Sequence, residues 1–383
     1  MWMAFEEKAT ALIPSVGTDE GQPISINTNQ SIADASAEIN DDFGFEEVAR
    51  QMRQYNSPGY MRTFSMSDLY DNVYDSRPPI VDGLLYSGTY LFVGAPKVGK
   101  SFFMAQLAYH VSMGIKLWNY EVKKGTVLYL ALEDTEKRLQ ERLFRMYGTD
   151  SADNPHFTIW AKQLGSGLDE QLQRFVNEHP DTKLVIIDTL QKVREAGGDK
   201  FSYANDYEIV GKLKQFADKN HICLLLVHHT RKQQAEDKFD MISGTNGLLG
   251  AADGAFLLQK EKRTSDAAAL DISGRDQQDQ RLHLRRDADR LIWQLEKAET
   301  ELWKAPPDPL LEAVAALVTQ EQPAWRGTAT ELVELLGMEM KPNTLSMRLN
   351  VNAGRLMDEY NVRYTNERSH AGRCITLTLL SEA

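Results

Sequence analysis

The chain has 383 residues, 42% of them hydrophobic, which allows one large domain and one small one. It contains no run of about eighteen apolar residues, and the opening Met1 to Glu7 is acidic with no apolar segment behind it. A membrane span and export are therefore not expected, and a cytoplasmic location is. The net charge of −12 argues against a surface coated by nucleic acid, although an enclosed basic channel is compatible with it. Cys223 and Cys374 lie far apart with no metal-ligand spacing and read as ordinary thiols in a reducing compartment.

Residues 1–60 hold ten acidic and three basic residues and no durable periodicity, so they read as a disordered acidic leader. Order is expected from Phe64 to Tyr70, with Ser65 or Ser67 capping a short helix. The double proline in Arg77 to Leu85 predicts an extended approach to the apolar strand Tyr90 to Val93. Next comes GAPKVGKS, a full G-x-x-x-x-G-K-S phosphate loop, followed by a helix over Phe102 to Tyr109. The backbone of Gly94, Ala95, Pro96, Lys97, Val98 and Gly99 can curl around phosphate, leading into Phe102 in the first helical turn. Lys100 can reach the β- and γ-phosphates of ATP, and the Ser101 hydroxyl can ligate Mg²⁺.

The strand Thr126 to Leu132 ends in Glu133 and Asp134, an acidic pair placed to hold a water or Mg²⁺. A helix follows from Glu136 to Tyr147 with Leu139, Leu143 and Phe144 as its apolar stripe. A short strand at 156–160 and a helix at 168–178 come next. KLVIIDT, Lys183 to Thr189, has the Walker B form, a continuously apolar strand ending in Asp188, which can hold Mg²⁺ through water. A polar loop covers 191–206, and the helix beginning at Asn205 carries Ile209, Leu213 and Phe216. The strand Ile222 to Thr230 is tipped by His228 and His229, either of which can donate to the γ-phosphate or its attacking water. A charged loop runs from Arg231 to Asp240, then a turn and short helix over Ser243 to Gly250 and a strand over Gly254 to Lys260. The segments 267–274, 282–287 and 291–296 read as antiparallel strands extending one sheet edge, with a charged tip at Arg275 to Gln278.

Ala305 to Pro309 is the clearest linker. Beyond it, helices are predicted over 310–318, 328–336 and 342–360, then a hairpin of 361–364 with 373–379. This is a winged-helix pattern in which the helix over 344–360 would enter a DNA groove. Arg348, Arg355, Arg363, Arg368 and Arg373 could form a one-sided patch, yet acidic residues outnumber basic ones across 305–383. Nucleic-acid contact and protein docking both stay open for this unit. The expected division is a leader over 1–60, an α/β ATPase domain over 61–304 and a winged-helix domain over 305–383.

Residues 65–300 resemble the RecA-like ATPases of the plasmid RepA replicative-helicase family, relatives of the DnaB and RadA motors. The resemblance rests on GAPKVGKS, YLALED at 129–134, LVIIDTL at 184–190, LLVHHTRK at 225–232 and SGTNGLLGAADGAFLL at 243–258. It implies a RecA-like core with a mostly parallel sheet, ATP and Mg²⁺ as ligands, and Glu133 as the general base. It further implies a γ-phosphate-sensing role for the histidine pair and a ring, commonly hexameric, around single-stranded DNA. Replication-protein contacts through 305–383 would accompany DNA replication of a plasmid, phage or integrated element. In the plasmid helicase an arginine finger follows the serine/glycine segment. Gly250 to Asp253 here has none, and Arg275 is the best replacement, with Lys262 and Arg263 as alternatives.

Overall fold

The computed structural model describes residues 57, 59–61, 63–74, 77–194, 203–230, 239, 242, 246–275, 277–300, 306–369 and 372–380. The leader expected over 1–60 falls almost wholly outside them, as do most of the loops after Val193 and after Thr230. The described residues divide into two compact units, one within Arg77–Lys304 and the other formed by those before and after it.

The larger unit is built on a nine-stranded sheet. Its strands are β3 (Gly88–Gly94), β4 (Thr126–Ala131), β5 (Pro155–Thr158), β6 (Thr182–Asp188), β7 (Cys223–His229), β8 (Gly254–Gln259), β9 (Ala267–Gly274), β10 (Gln280–Arg286) and β11 (Trp293–Ala298). Their spatial order is β11-β10-β9-β8-β3-β7-β6-β4-β5. From β8 to β5 every pairing is parallel, and β9, β10 and β11 add antiparallel strands at one edge. This is the predicted α/β arrangement. The proline-led approach forms a separate small hairpin of β1 (Pro79–Val81) and β2 (Leu85–Tyr86).

The central strands are apolar without a break because both sheet faces are covered. Every residue of β3 is buried. Phe92 enters one core with Phe103, Met104, Leu107, Leu139 and Met146, which come from α2 (Lys100–Met113) and α3 (Glu136–Tyr147). Leu91 and Val93 enter the other, against α4 (Leu168–Glu178), α6 (Tyr203–Lys219) and α7 (Asn246–Ala251). The stripe predicted for α3 is corrected at one place: Phe144 is exposed, and Met146 and Tyr147 are buried instead. A short helix, α5 (Leu190–Val193), directly follows β6.

The smaller unit opens on α1 (Met66–Asp71). Ser65 caps it in a reciprocal capping box with Asp68, choosing between the two serines. Its remaining helices are α8 (Pro309–Ala315), α9 (Ala329–Leu336), α10 (Pro342–Val351) and α11 (Ala353–Tyr360). Its sheet is β12-β14-β13, with β12 at Ala324–Gly327, β13 at Val362–Ser369 and β14 at Gly372–Leu379. This is the expected winged-helix pattern with two corrections. The single helix over 342–360 is broken at Asn352, where ψ is 15° and the side-chain amide donates to the Arg348 carbonyl at 2.8 Å. The strand β12 lies between Pro323 and Thr328, too short for an alternating pattern to register.

Candidate nucleotide site

Strand order determines which side chains meet. β3 is first in the parallel set yet lies inside it, because the chain goes out to β4, returns through β6 and β7, then crosses to β8. Such a reversal leaves a crevice at the carboxyl ends of the strands, where ligands of open α/β sheets bind. The phosphate loop leaves β3 at this end. Glu133 follows β4, Asp188 ends β6 and His229 ends β7.

The loop is shaped by close packing at two glycines. A Cβ on Gly94 would lie 2.6 Å from the Leu258 carbonyl oxygen on β8. Gly99 has φ +113°, and a Cβ there would lie 2.8 Å from the Trp293 ring. Trp293 is fully buried. Its indole Nε1 donates to the Gly99 carbonyl at 3.4 Å, and its backbone exchanges bonds of 2.7 and 2.8 Å with the Gln106 amide on α2. The antiparallel edge is thus the back wall of the phosphate loop.

Lys100 is buried, and Nζ donates to the carbonyls of Gly94 at 2.8 Å and Ala95 at 3.1 Å. Burial lowers its pKa to about 8, against the opposing pull of Asp188 and Glu133. His229 Nδ1 is 3.3 Å from the same ammonium. An ammonium only donates, so Nδ1 is the acceptor and the imidazole proton is assigned to Nε2. Burial first, and Lys100 second, lower the His229 pKa, which keeps the ring neutral. Of the pair, His229, half-buried, is the one beside Lys100, and His228 is buried.

Asp188 is buried and accepts a hydrogen bond from Tyr129 Oη at 2.8 Å, with the Ser101 hydroxyl beside it. Burial raises its pKa and these two donors oppose the rise. Tyr129 reaches it because β4 and β6 are neighbours with Ala131 opposite Asp188. Thr189 Oγ1 donates to Glu133 Oε1 at 3.2 Å. The peptide between Asp188 and Thr189 is cis.

The Ser101 hydroxyl and the Asp188 carboxylate are a hard-oxygen pair, the donor set that suits Mg²⁺ when phosphates and waters supply its other ligands. Among the described residues no group of three or more His, Cys, Asp or Glu forms a self-sufficient metal cage. Asp134, expected as a third metal residue, is held by two arginines. Arg142 grips its carboxylate with bonds of 2.7 and 3.1 Å, and Arg138 approaches at 3.5 Å. Its charge is engaged in fixing α3.

Arg275 lies beyond β9. Its neighbour Gly274 is opposite Gly254, which pairs with Tyr90, four residues along β8 from the Leu258–Gly94 pair. That is about 13 Å along the strand, away from this chain's own phosphate loop. Its guanidinium donates to the Gly250 carbonyl. Lys262 and Arg263 are exposed in the turn after β8. Sequence reasoning missed Tyr129, Thr189 and Trp293. Thr189, flanking the Walker B aspartate, was the one with a signal.

In the winged-helix unit, three of the five candidate arginines are paired. Arg348 bonds Asp308 at 2.8 Å, Arg355 bonds Glu359 at 2.6 Å and Arg373 bonds Asp71 at 2.9 Å. Arg363 is exposed, and the side chain of Arg368 lies outside the described residues. The exposed positions of α10 are Asn343, Thr344, Met347 and Val351, none of them basic. No described helix is long and apolar enough to cross a membrane.

A family model described as an AAA domain matches residues 57–235. Among solved structures, the chain is similar to one described as an ATPase domain, with 16% identity and a TM-score of 0.48, covering 67% of this chain and 100% of that one. It is also similar to a DnaB-like replicative helicase described with its interactions with primase. That match has 17% identity and a TM-score of 0.48, covering 65% of this chain and 71% of that one. No curated protein matches the chain. The larger unit is an α/β fold with a mixed parallel and antiparallel sheet, consistent with a RecA-like NTPase, and the smaller unit is consistent with a winged-helix motif.

Proposed function

We propose that this protein binds and hydrolyses ATP at the crevice above β3, β4, β6 and β7. The observation that carries the reading is the convergence of Lys100, Ser101, Asp188, Thr189, Glu133 and His229 at one end of one sheet. A bare phosphate loop would need only the first two. Water attacks the γ-phosphate in line. Glu133, oriented by Thr189, takes the water's proton. Lys100 neutralises charge on the β- and γ-phosphates, and His229 contacts the γ-phosphate through its Nε2 proton. Mg²⁺, when bound, would be held at Ser101 and Asp188 and would withdraw charge from the phosphate oxygens.

Arg275 is the candidate to complete the site of a neighbouring copy, which favours a ring, in keeping with the sequence motifs shared with replicative helicases. In this reading the assembly is a hexameric motor acting on single-stranded DNA during replication of a plasmid, phage or mobile element. A second reading is an ATP-dependent DNA-binding or regulatory protein without unwinding activity, or a nucleotide-gated protein scaffold. The neutral exposed face of α10 and the paired arginines favour its regulatory or scaffold form, because they suit docking a replication protein better than gripping phosphates. ATP hydrolysis with and without single-stranded DNA, run beside an unwinding assay on a forked duplex, separates the two. DNA-stimulated hydrolysis with strand separation supports the motor. Stimulation without separation supports the second reading.

A further inference from the structure

Among the described residues, two cations beside the phosphate loop form no ion pair with a carboxylate. Lys260 follows β8, two residues past the Leu258 that touches Gly94, and Arg286 ends β10. The Arg286 guanidinium lies 4.2 Å over the ring of Phe102, the residue after Ser101, and 5.9 Å from the Trp293 ring. Lys260 Nζ lies 5.4 Å over the Trp293 ring, whose indole backs Gly99. Both cations are half-buried. Arg286 makes a 3.4 Å bond from Nε to the Leu291 carbonyl, and Lys260 a 2.8 Å bond to the Ser265 carbonyl.

The surroundings add positive charge. Arg142 lies 5.1 Å over the same Phe102 ring, its own charge met by Asp134. Arg145 donates to the backbone carbonyls of Ala288 and Asp289. Burial first, then Arg145 and Arg142, lower the Arg286 pKa, and burial followed by Arg286 lowers that of Lys260 against the opposing pull of Asp266. A half-buried cation facing other cations is costly unless an anion completes the group. The contact with Phe102 recovers only part of that cost.

We propose that Lys260 and Arg286 are nucleotide-binding residues that act in cis on the polyphosphate held by the phosphate loop, and that the antiparallel edge, together with the turn that leads into it from β8, serves this function. The inference rests on the ATP-binding reading above. It adds two positive charges, from segments the motif does not include, to the one of Lys100. The recognised ligand is the phosphate chain, so the base is not discriminated at this point.

The test uses the full chain and measures equilibrium binding of ATP, ADP and inorganic tripolyphosphate by calorimetry, with thermal melting as the check of folding. Arg286→Gln and Lys260→Gln are each expected to weaken all three ligands by about tenfold, the size of one charge-assisted phosphate contact. Arg285→Gln, on an exposed residue paired with Glu296 and Asp266, is expected to leave binding unchanged. Because Arg286 packs on Phe102 its variant could misfold, and Lys260→Gln then decides the matter. Unchanged affinities in a folded Lys260→Gln and Arg286→Gln overturn the inference alone. Weakened binding of a single-stranded oligonucleotide with ATP affinity intact also overturns it, assigning the cluster to nucleic-acid phosphates. If the unsubstituted chain does not bind ATP, the ATP-binding reading falls and takes this inference with it.

Discussion

Thr189 Oγ1 donates to Glu133 Oε1 at 3.2 Å, joining the residue after the Walker B aspartate to the carboxylate at the tip of the adjacent strand. The threonine is buried and the glutamate is exposed, so the bond fixes an otherwise free side chain where water can reach it. Thr189→Val keeps the shape and removes the donor. We expect kcat for ATP hydrolysis to fall roughly tenfold with nucleotide affinity unchanged, the pattern of a group acting on positioning of the attacking water. Steady-state phosphate release and equilibrium ATP binding measured on the same preparation check this.

Lys100 gives a pH prediction with a definite sign. Burial places its pKa at about 8 in the nucleotide-free protein. A bound polyphosphate favours the ammonium and raises that value, so binding takes up a proton above pH 8. ATP affinity should therefore be nearly flat from about pH 6.5 to about 7.5 and decline toward about pH 9.5, by at most about tenfold per unit. Titrations in two buffers of different ionisation enthalpy would reveal the proton uptake directly. An affinity that rises with pH would contradict the assignment.

Trp293 should matter more than a residue on an added strand ordinarily does. It is fully buried, and Gly99 has no room for a Cβ because the indole is there. Trp293→Ala is expected to destabilise the larger unit by about 3–5 kcal/mol, the usual cost of emptying a core tryptophan site. It should also weaken ATP binding by unseating Gly99. Trp293→Phe, which keeps most of the volume and loses the 3.4 Å bond to Gly99, should recover most of the stability. Denaturant unfolding and ATP binding on both variants test this.

Much of the fold was legible because local pattern and burial coincide. GAPKVGKS, the unbroken apolar runs of β6 and β7, and the three edge strands each carry their own signal. The site was legible only where a residue lies inside a motif, as Lys100, Ser101 and Asp188 do. Tyr129 meets Asp188 because β4 and β6 are neighbours, a fact of strand order that no spacing within one segment encodes. Trp293 meets Gly99 across 194 positions of sequence. Asp134 shows the converse. Beside Glu133 it looks like a second acid of the site, yet Arg142, two turns along α3, claims it. The histidines could not be ranked from sequence because successive strand residues face opposite sides, and the phase of β7 against β3 decides which one meets Lys100.

In the proposed ATP hydrolysis site, Lys100 binds the nucleotide and Glu133 takes the proton. The most direct measurement is ATP binding and phosphate release by the full chain, Lys100→Ala and Glu133→Gln, with Mg²⁺ and single-stranded DNA present. The account predicts that Lys100→Ala loses binding and turnover together. Glu133→Gln should bind ATP as the unsubstituted chain does while releasing phosphate at least about a hundredfold more slowly. Turnover in Glu133→Gln equal to that of the unsubstituted chain would contradict it.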